Sequence, residues 1–301
     1  MRNRFNSAGI SGAIAAAAVV GAVIFTAMPI AGQAPAPAGQ GRAAGAGRGA
    51  APAAPAAQGR GTAPARPARI AGRPNLNGIY QAINTANWNL EDHSASDLKA
   101  FWQMGAIAAV PAGQSVVDGG TIPYTPAGLK QREENRAGWP KTDPEAKCYM
   151  PGLPRASYMP YPFQIVQGQK DILFVYEYAS SNRIVHMSNH TEAPVDSWMG
   201  WSNGKWDGDT LVIDVQGFNE LSWFDRAGNH HSNQLQVVER YTPRGTDHMD
   251  YQATITDPRT FTRPWTIRMP LYRRIEPNVQ LLEFKCVEFS EELLYGDLKK
   301  K

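Results

Sequence analysis

Asp225-Arg-Ala-Gly-Asn-His-His-Ser-Asn233 is the densest run of chemically versatile side chains in the sequence. A carboxylate that fixes one nitrogen of an imidazole leaves the other free to take or give a proton. His231 or His230 is therefore the candidate base, and Asp225 the residue that orients it. The same run also suits a turn in which Asp225 and Asn229 bond backbone and the histidines face solvent. Glu239 is the candidate acid. Strand alternation in Leu235-Gln-Val-Val-Glu-Arg-Tyr241 puts it on the face of Leu235, Val237 and Tyr241. A carboxylate on an apolar face must be paired or carry a raised pKa, and Arg183 or Arg268 is the structural alternative to a catalytic role. His186 shares a face with Ile184 and is expected to project toward the same interior. Convergence of His186, His231 and Glu239 would make proton transfer on a bound ligand the expected chemistry.

Binding residues come from a second group. Trp198, Trp201, Trp206 and Trp223 fall close together, and flat aromatic faces stack on sugars or planar molecules. Trp206 begins a hairpin strand and reads as core, which leaves Trp198, Trp201 and Trp223 as the binding set. Arg155, at the end of Gly152-Leu-Pro-Arg, is placed either to clamp an acid group or to hold a structural turn. Arg183 and Tyr176 are expected to line the same ligand cavity. His186 and His190 would share a metal on a helix, but their run reads as a strand, where a four-residue offset spans about 13 Å. No metal site is expected. No phosphate-binding glycine loop, nucleophile elbow or dinucleotide fingerprint is present, so no cofactor is expected.

These side chains need elements to position them. Leu76–Tyr80 reads as an entry strand, Ser94–Trp102 as a short helix capped by Ser94 or Ser96, and Tyr124–Glu134 as a second helix. In the latter, Thr125-Pro126 supplies the cap and first-turn proline. From Phe163 onward, strand runs alternate with turns: 164–167, 172–178, 183–188, 205–206, 210–215, 234–241, 249–256, 265–272 and 279–288. Asp207-Gly208 marks a tight hairpin. Met249, Tyr251, Ala253 and Ile255 form one face of their strand, and Trp265, Ile267, Met269 and Leu271 repeat the pattern. The expected fold is mainly β, an antiparallel meander forming a barrel or half-barrel with one or two short helices before it.

Charge divides the chain. The net charge of the whole is +3, yet the first 73 residues carry eight Arg and no Asp, Glu or Lys. The remainder is therefore acidic, which argues against nucleic acid as a partner. Arg2 and Arg4 precede an uncharged stretch from Ser7 to Pro29, the pattern of a secretory signal within residues 1–32. An uncleaved membrane anchor is the alternative. Residues 33–73 are almost entirely Ala, Pro, Gly, Gln and Arg and read as a disordered linker. Residues 74–301 are expected to form one β-rich domain, working in the periplasm or outside the cell. In that oxidising setting Cys148 and Cys286, the only cysteines, are expected to form a disulfide; a reactive thiol or metal ligand is the alternative. It would tie the start of the β region to its last strand.

Cys148-Tyr-Met-Pro-Gly-Leu-Pro-Arg155, Trp206-Asp-Gly-Asp-Thr-Leu-Val-Ile-Asp214 with Gly217-Phe218, and His231-Ser232 with Glu239-Arg240 resemble a family of exported bacterial proteins without an assigned activity. The likeness covers roughly residues 140–290. It implies an extracytoplasmic location and a compact β-rich domain, and supplies no reaction. The family's Cys-His-Glu stretch stands here as Cys286-Val287-Glu288, so no role of that histidine carries over. The expected function is the binding of a small organic or sugar-like ligand in a β-sheet cavity. The alternatives are a cofactor-independent lyase, isomerase or hydrolase using His, Asp and Glu, or an envelope scaffold without a ligand.

Overall fold

The computed structural model describes residues 68–97 and 109–287, all within one compact unit, Thr62–Lys301. The expected signal segment, nearly all of the expected linker and the second half of the first helix candidate lie outside the described residues. In chain order the elements are β1 (Arg69–Ile70), β2 (Arg73–Pro74), β3 (Gly78–Ala82), β4 (Ser96–Asp97), β5 (Ala109–Val110) and α1 (Pro126–Gly138). There follow β6 (Phe163–Gln167), β7 (Asp171–Tyr176), β8 (Asn182–His186), β9 (Trp201–Asp207), β10 (Thr210–Gln216), β11 (Gln236–Arg244), β12 (His248–Thr256) and β13 (Trp265–Arg273).

β3 and β6 to β13 form a closed barrel in chain order, with β13 returning to pair with β3. The alternation that predicted a barrel is what fills it. Met249, Tyr251, Ala253 and Ile255 of β12 point inward, as do Trp265, Ile267, Met269 and Leu271 of β13. Hairpins account for most of the connections. That between β9 and β10 turns on Gly208, whose positive φ of 59° suits a residue without a Cβ. One pair departs from the expected meander: β8 and β9 run parallel. The long connection from Met187 to Gly200 carries the chain back to the same end of the barrel, which a short hairpin cannot do.

The second helix candidate is α1. Thr125 Oγ1 accepts a hydrogen bond from the Gly128 amide at 3.1 Å, and Pro126 opens the first turn. The first helix candidate is overturned where it is described, because Ser96–Asp97 pairs with Ala109–Val110 as a strand. The expected last strand, 279–288, is also overturned. β13 already closes on β3, so no free edge remains for residues 281–287 to join. They are held by side chains instead. Phe284 packs against Tyr161 and Tyr178, and the Leu282 amide donates to Glu177. The Cys148–Cys286 disulfide is formed, and it ties this segment, not a strand, to the connection ahead of β6.

Candidate functional site

Inside the barrel, an apolar wall surrounds a small ionic cluster. Glu239 on β11 is fully buried and pairs with Arg183 on β8. Its carboxylate also accepts hydrogen bonds from the hydroxyls of Tyr241, at 2.9 Å, and Tyr251, at 2.7 Å. Arg183 donates a second bond to Tyr241 and stands over the Phe174 ring, 4.6 Å from its centroid. Ser157 and Ser202 complete the cluster through contacts with Tyr241 and Arg183. Burial opposes the guanidinium charge, but Glu239 beside it outweighs that cost and holds the Arg183 pKa above its ordinary value. Arg183 and not Arg268 is thus the partner of Glu239. Arg268 lies on the outer wall with Asp118.

Two polar atoms of this cluster make no well-formed bond. Arg183 Nε and Tyr176 Oη are buried without a hydrogen bond of good geometry among the described residues, although the phenol lies within polar reach of Ser157 and the Arg183 guanidinium. Tyr176 projects inward from β7, and burial pushes its phenol up to about 12 while the Arg183 charge works against the rise. Most buried polar atoms in proteins are bonded, so each exception asks for a reason. Two of the predicted binding residues, Arg183 and Tyr176, are therefore brought into one cluster with the predicted acid, Glu239. Sequence reasoning missed Tyr241, Tyr251, Ser157 and Ser202. The inward alternation of β11 and β12 flagged the two tyrosines as core, and nothing local marked their hydroxyls as partners of Glu239.

Arg155 is not a ligand clamp. Its Nε donates to Asn87, one terminal nitrogen to Asp143, and the other to Asp143 and Glu145 at 3.2 and 2.7 Å. Arg226 closes on the other side of Glu145 with two bonds of 2.7 Å and covers the Trp88 ring. Burial works against the Glu145 carboxylate, but Arg226 and Arg155 outweigh it and bring its pKa down to about 2. Every guanidinium nitrogen of Arg155 is used within the protein.

Asp225 does not orient either histidine. Its two oxygens accept from the amides of Leu90, Ala227 and Asn229 and from the Asn229 side chain. This is the turn-residue role, and it leaves no lone pair aimed at an imidazole. Burial pushes the Asp225 carboxyl up to about 6, against these donors. His230 is stacked on Tyr124, and its Nε2 bonds the Gly128 carbonyl of α1. His231 is buried between Phe218 and Phe224. Its Nε2 lies 2.8 Å from the Ser222 hydroxyl, and its Nδ1 lies 2.9 Å from the Ser232 carbonyl. Neither ring shares a hydrogen-bond partner with Glu239.

His186 faces the wrong way for an interior role. Arg183 and Val185 are the inward residues of β8, while Ile184 is half exposed and His186 stacks on Trp201 at 4.5 Å on the outer wall. The pairing of Arg183 with Glu239 fixes that register, and the apolar side chain of Ile184 is the one left outside. The tryptophans do not gather either. Trp198 stacks on Tyr149, Trp201 on His186, and Trp223 is buried beside the bridge to His230.

Two open grooves lie on the outer surface. One, of about 470 Å³, crosses β11 to β13. Its arginines, Arg240, Arg244 and Arg268, are already paired with Asp207, Asp250 and Asp118. The other, of about 380 Å³, lies between Ile70, Arg73, Lys205 and Trp206. No family model matches the chain, and no curated protein matches it.

Proposed function

We propose that this is an exported binding protein that takes a small neutral organic molecule, through an oxygen acceptor, against the Arg183–Tyr176 cluster of its side-chain-filled barrel, whose wall parts to admit it. The observation that carries the reading is the pair of buried polar atoms, Arg183 Nε and Tyr176 Oη, left without a well-formed hydrogen bond beside an otherwise complete ion pair. Glu239 already balances the charge of Arg183, so a neutral ligand suits the cluster better than an acid. A carbonyl or hydroxyl oxygen would accept from the guanidinium and the phenol together. The surrounding aromatic and aliphatic wall supplies the apolar part of the contact. The disulfide and the expected signal segment support a periplasmic or secreted location.

Native mass spectrometry of the full chain, secreted into an oxidising compartment, tests this. The expected result is one small molecule bound per chain, lost in Arg183→Met. A panel of small ketones, amides and sugars should include members that raise the melting temperature of ligand-stripped protein. A mass equal to the polypeptide alone, with no shift from any member of the panel, would leave the scaffold reading in its place.

A further inference from the structure

Outside the barrel interior, the loop between β10 and β11 builds a second arrangement, and it does not depend on the ligand reading above. Ser232 is held at two points by Asp257, its amide at 2.6 Å and its hydroxyl at 2.8 Å. The Ser232 carbonyl can only accept, so the His231 Nδ1 facing it must carry the proton. Nε2 is then bare and accepts from the Ser222 hydroxyl. Burial pushes the imidazole pKa down to about 4, so the ring is neutral at ordinary pH. The order Asp257–Ser232–His231–Ser222 sets a tautomer, a base and a hydroxyl in line. A peptide carbonyl takes the place that a carboxylate holds in the usual triad.

The cover over Ser222 is as specific as the pair itself. Gly152 sits at a φ of +71°, and a Cβ there would fall 2.2 Å from the Ser222 oxygen. Only glycine main chain lies against the hydroxyl on that side. The covering segment, Tyr149 to Gly152, has no regular structure and leads directly from the disulfide at Cys148. Tyr149 is half exposed and stacks almost parallel on Trp198, with ring centroids 5.1 Å apart. Met150, next to Tyr149, and Leu221, next to Ser222, add exposed apolar surface.

We propose that Ser222 and His231 are a nucleophile and its base, acting on a carboxylic ester whose planar aromatic group takes the place of Tyr149 on the Trp198 ring. Displacement of the segment 149–152 lifts Tyr149 from Trp198 and opens the hydroxyl. Ser222 Oγ then bonds to the ester carbonyl carbon while its proton passes to His231 Nε2. The carbon–oxygen bond to the leaving alcohol breaks, and the alkoxide takes that proton. Water, deprotonated by the same nitrogen, releases the acid and restores Ser222.

Phenylmethylsulfonyl fluoride tests the pair on the folded, disulfide-bonded full chain. Attack forms the Ser222 Oγ–sulfur bond and expels fluoride, and the lost proton leaves through His231. The expected result is a single sulfonyl adduct on the peptide carrying Ser222, absent after unfolding in urea. In His231→Gln the labelling rate should fall about a hundredfold or more. Ser222→Ala should abolish hydrolysis of 4-nitrophenyl benzoate. The proposal is overturned if the folded wild-type chain stays unlabelled at Ser222, or if unfolded chain labels there as fast as folded. Both readouts use the wild type, so a variant that misfolds cannot obscure the answer.

Discussion

Arg155 and Arg183 are both buried arginines paired with buried carboxylates, and they end in opposite states. Arg155, held by the loops ahead of β6, spends all three guanidinium nitrogens on Asn87, Asp143 and Glu145. Arg183, on a barrel strand, spends two and leaves Nε without a well-formed bond, as the Tyr176 hydroxyl of the same cluster is left. A saturated cluster is an anchor: adding a ligand would break bonds already made. An unsaturated one has a bond to offer. Under the proposed function, the contrast is what would separate a structural charge from a binding charge.

The largest expected effect lies at the anchor. Arg155→Met leaves Asp143 without its cation and Glu145 with only Arg226, and should cost about 3–5 kcal/mol in urea denaturation. A loss under 1 kcal/mol would mean that the cluster holds little together. Acid should weaken the same anchor. The Glu145 pKa is depressed to about 2, below the value of the unfolded chain, so the stability it contributes is complete above pH 4.5 and fades toward pH 2. The total is about 3 kcal/mol. Two other groups act at higher pH in opposite senses. His231, pushed down to about 4, costs stability as pH falls from 6.5, because the unfolded chain takes up the proton first. Asp225, pushed up to about 6, returns stability as pH falls through the overlapping range. The two largely cancel, so the steep loss should begin only below pH 4.5, and Arg155→Met should flatten it.

At the barrel cluster the effects are smaller. Arg183→Met leaves Glu239 with two tyrosine donors, so its cost should be about 2–3 kcal/mol, below that of Arg155→Met. Equal costs would erase the contrast. The tyrosines sharpen it further. Tyr251→Phe removes a hydrogen bond to a carboxylate and should cost about 1.5–3 kcal/mol. Tyr176→Phe removes a hydroxyl that makes no well-formed protein bond and should be neutral or slightly stabilising in ligand-stripped protein. A loss at Tyr176 matching that at Tyr251 would show that the phenol is already bonded.

How much of this was legible beforehand follows the range of the interactions. The hairpin at Asp207-Gly208, the alternation of β12 and β13, and the Thr125-Pro126 helix start are local, and they read correctly. So did the pairing of the two cysteines, because a domain with two cysteines leaves few options. The sidedness of β8 did not. Ile184 looked like the inward residue, and only Glu239, far along the chain on another strand, makes Arg183 the residue that turns in. Barrel closure misled in the same way, since 279–288 has strand-forming residues but no edge to pair with. In the loop 225–233, the residue types announced chemistry but not its partners. Asp225 is consumed by four N–H donors, and the group that meets His231 is Ser222, a lone serine in Leu221-Ser-Trp223 that no sequence pattern marks.

The unbonded pair inside the barrel can be seen directly. A crystal structure of the disulfide-bonded protein, at a resolution that separates water from larger molecules, should show density joining Arg183 Nε to Tyr176 Oη and too large for one water. A single ordered water bridging the two atoms, or a direct bond between them, would contradict the binding site.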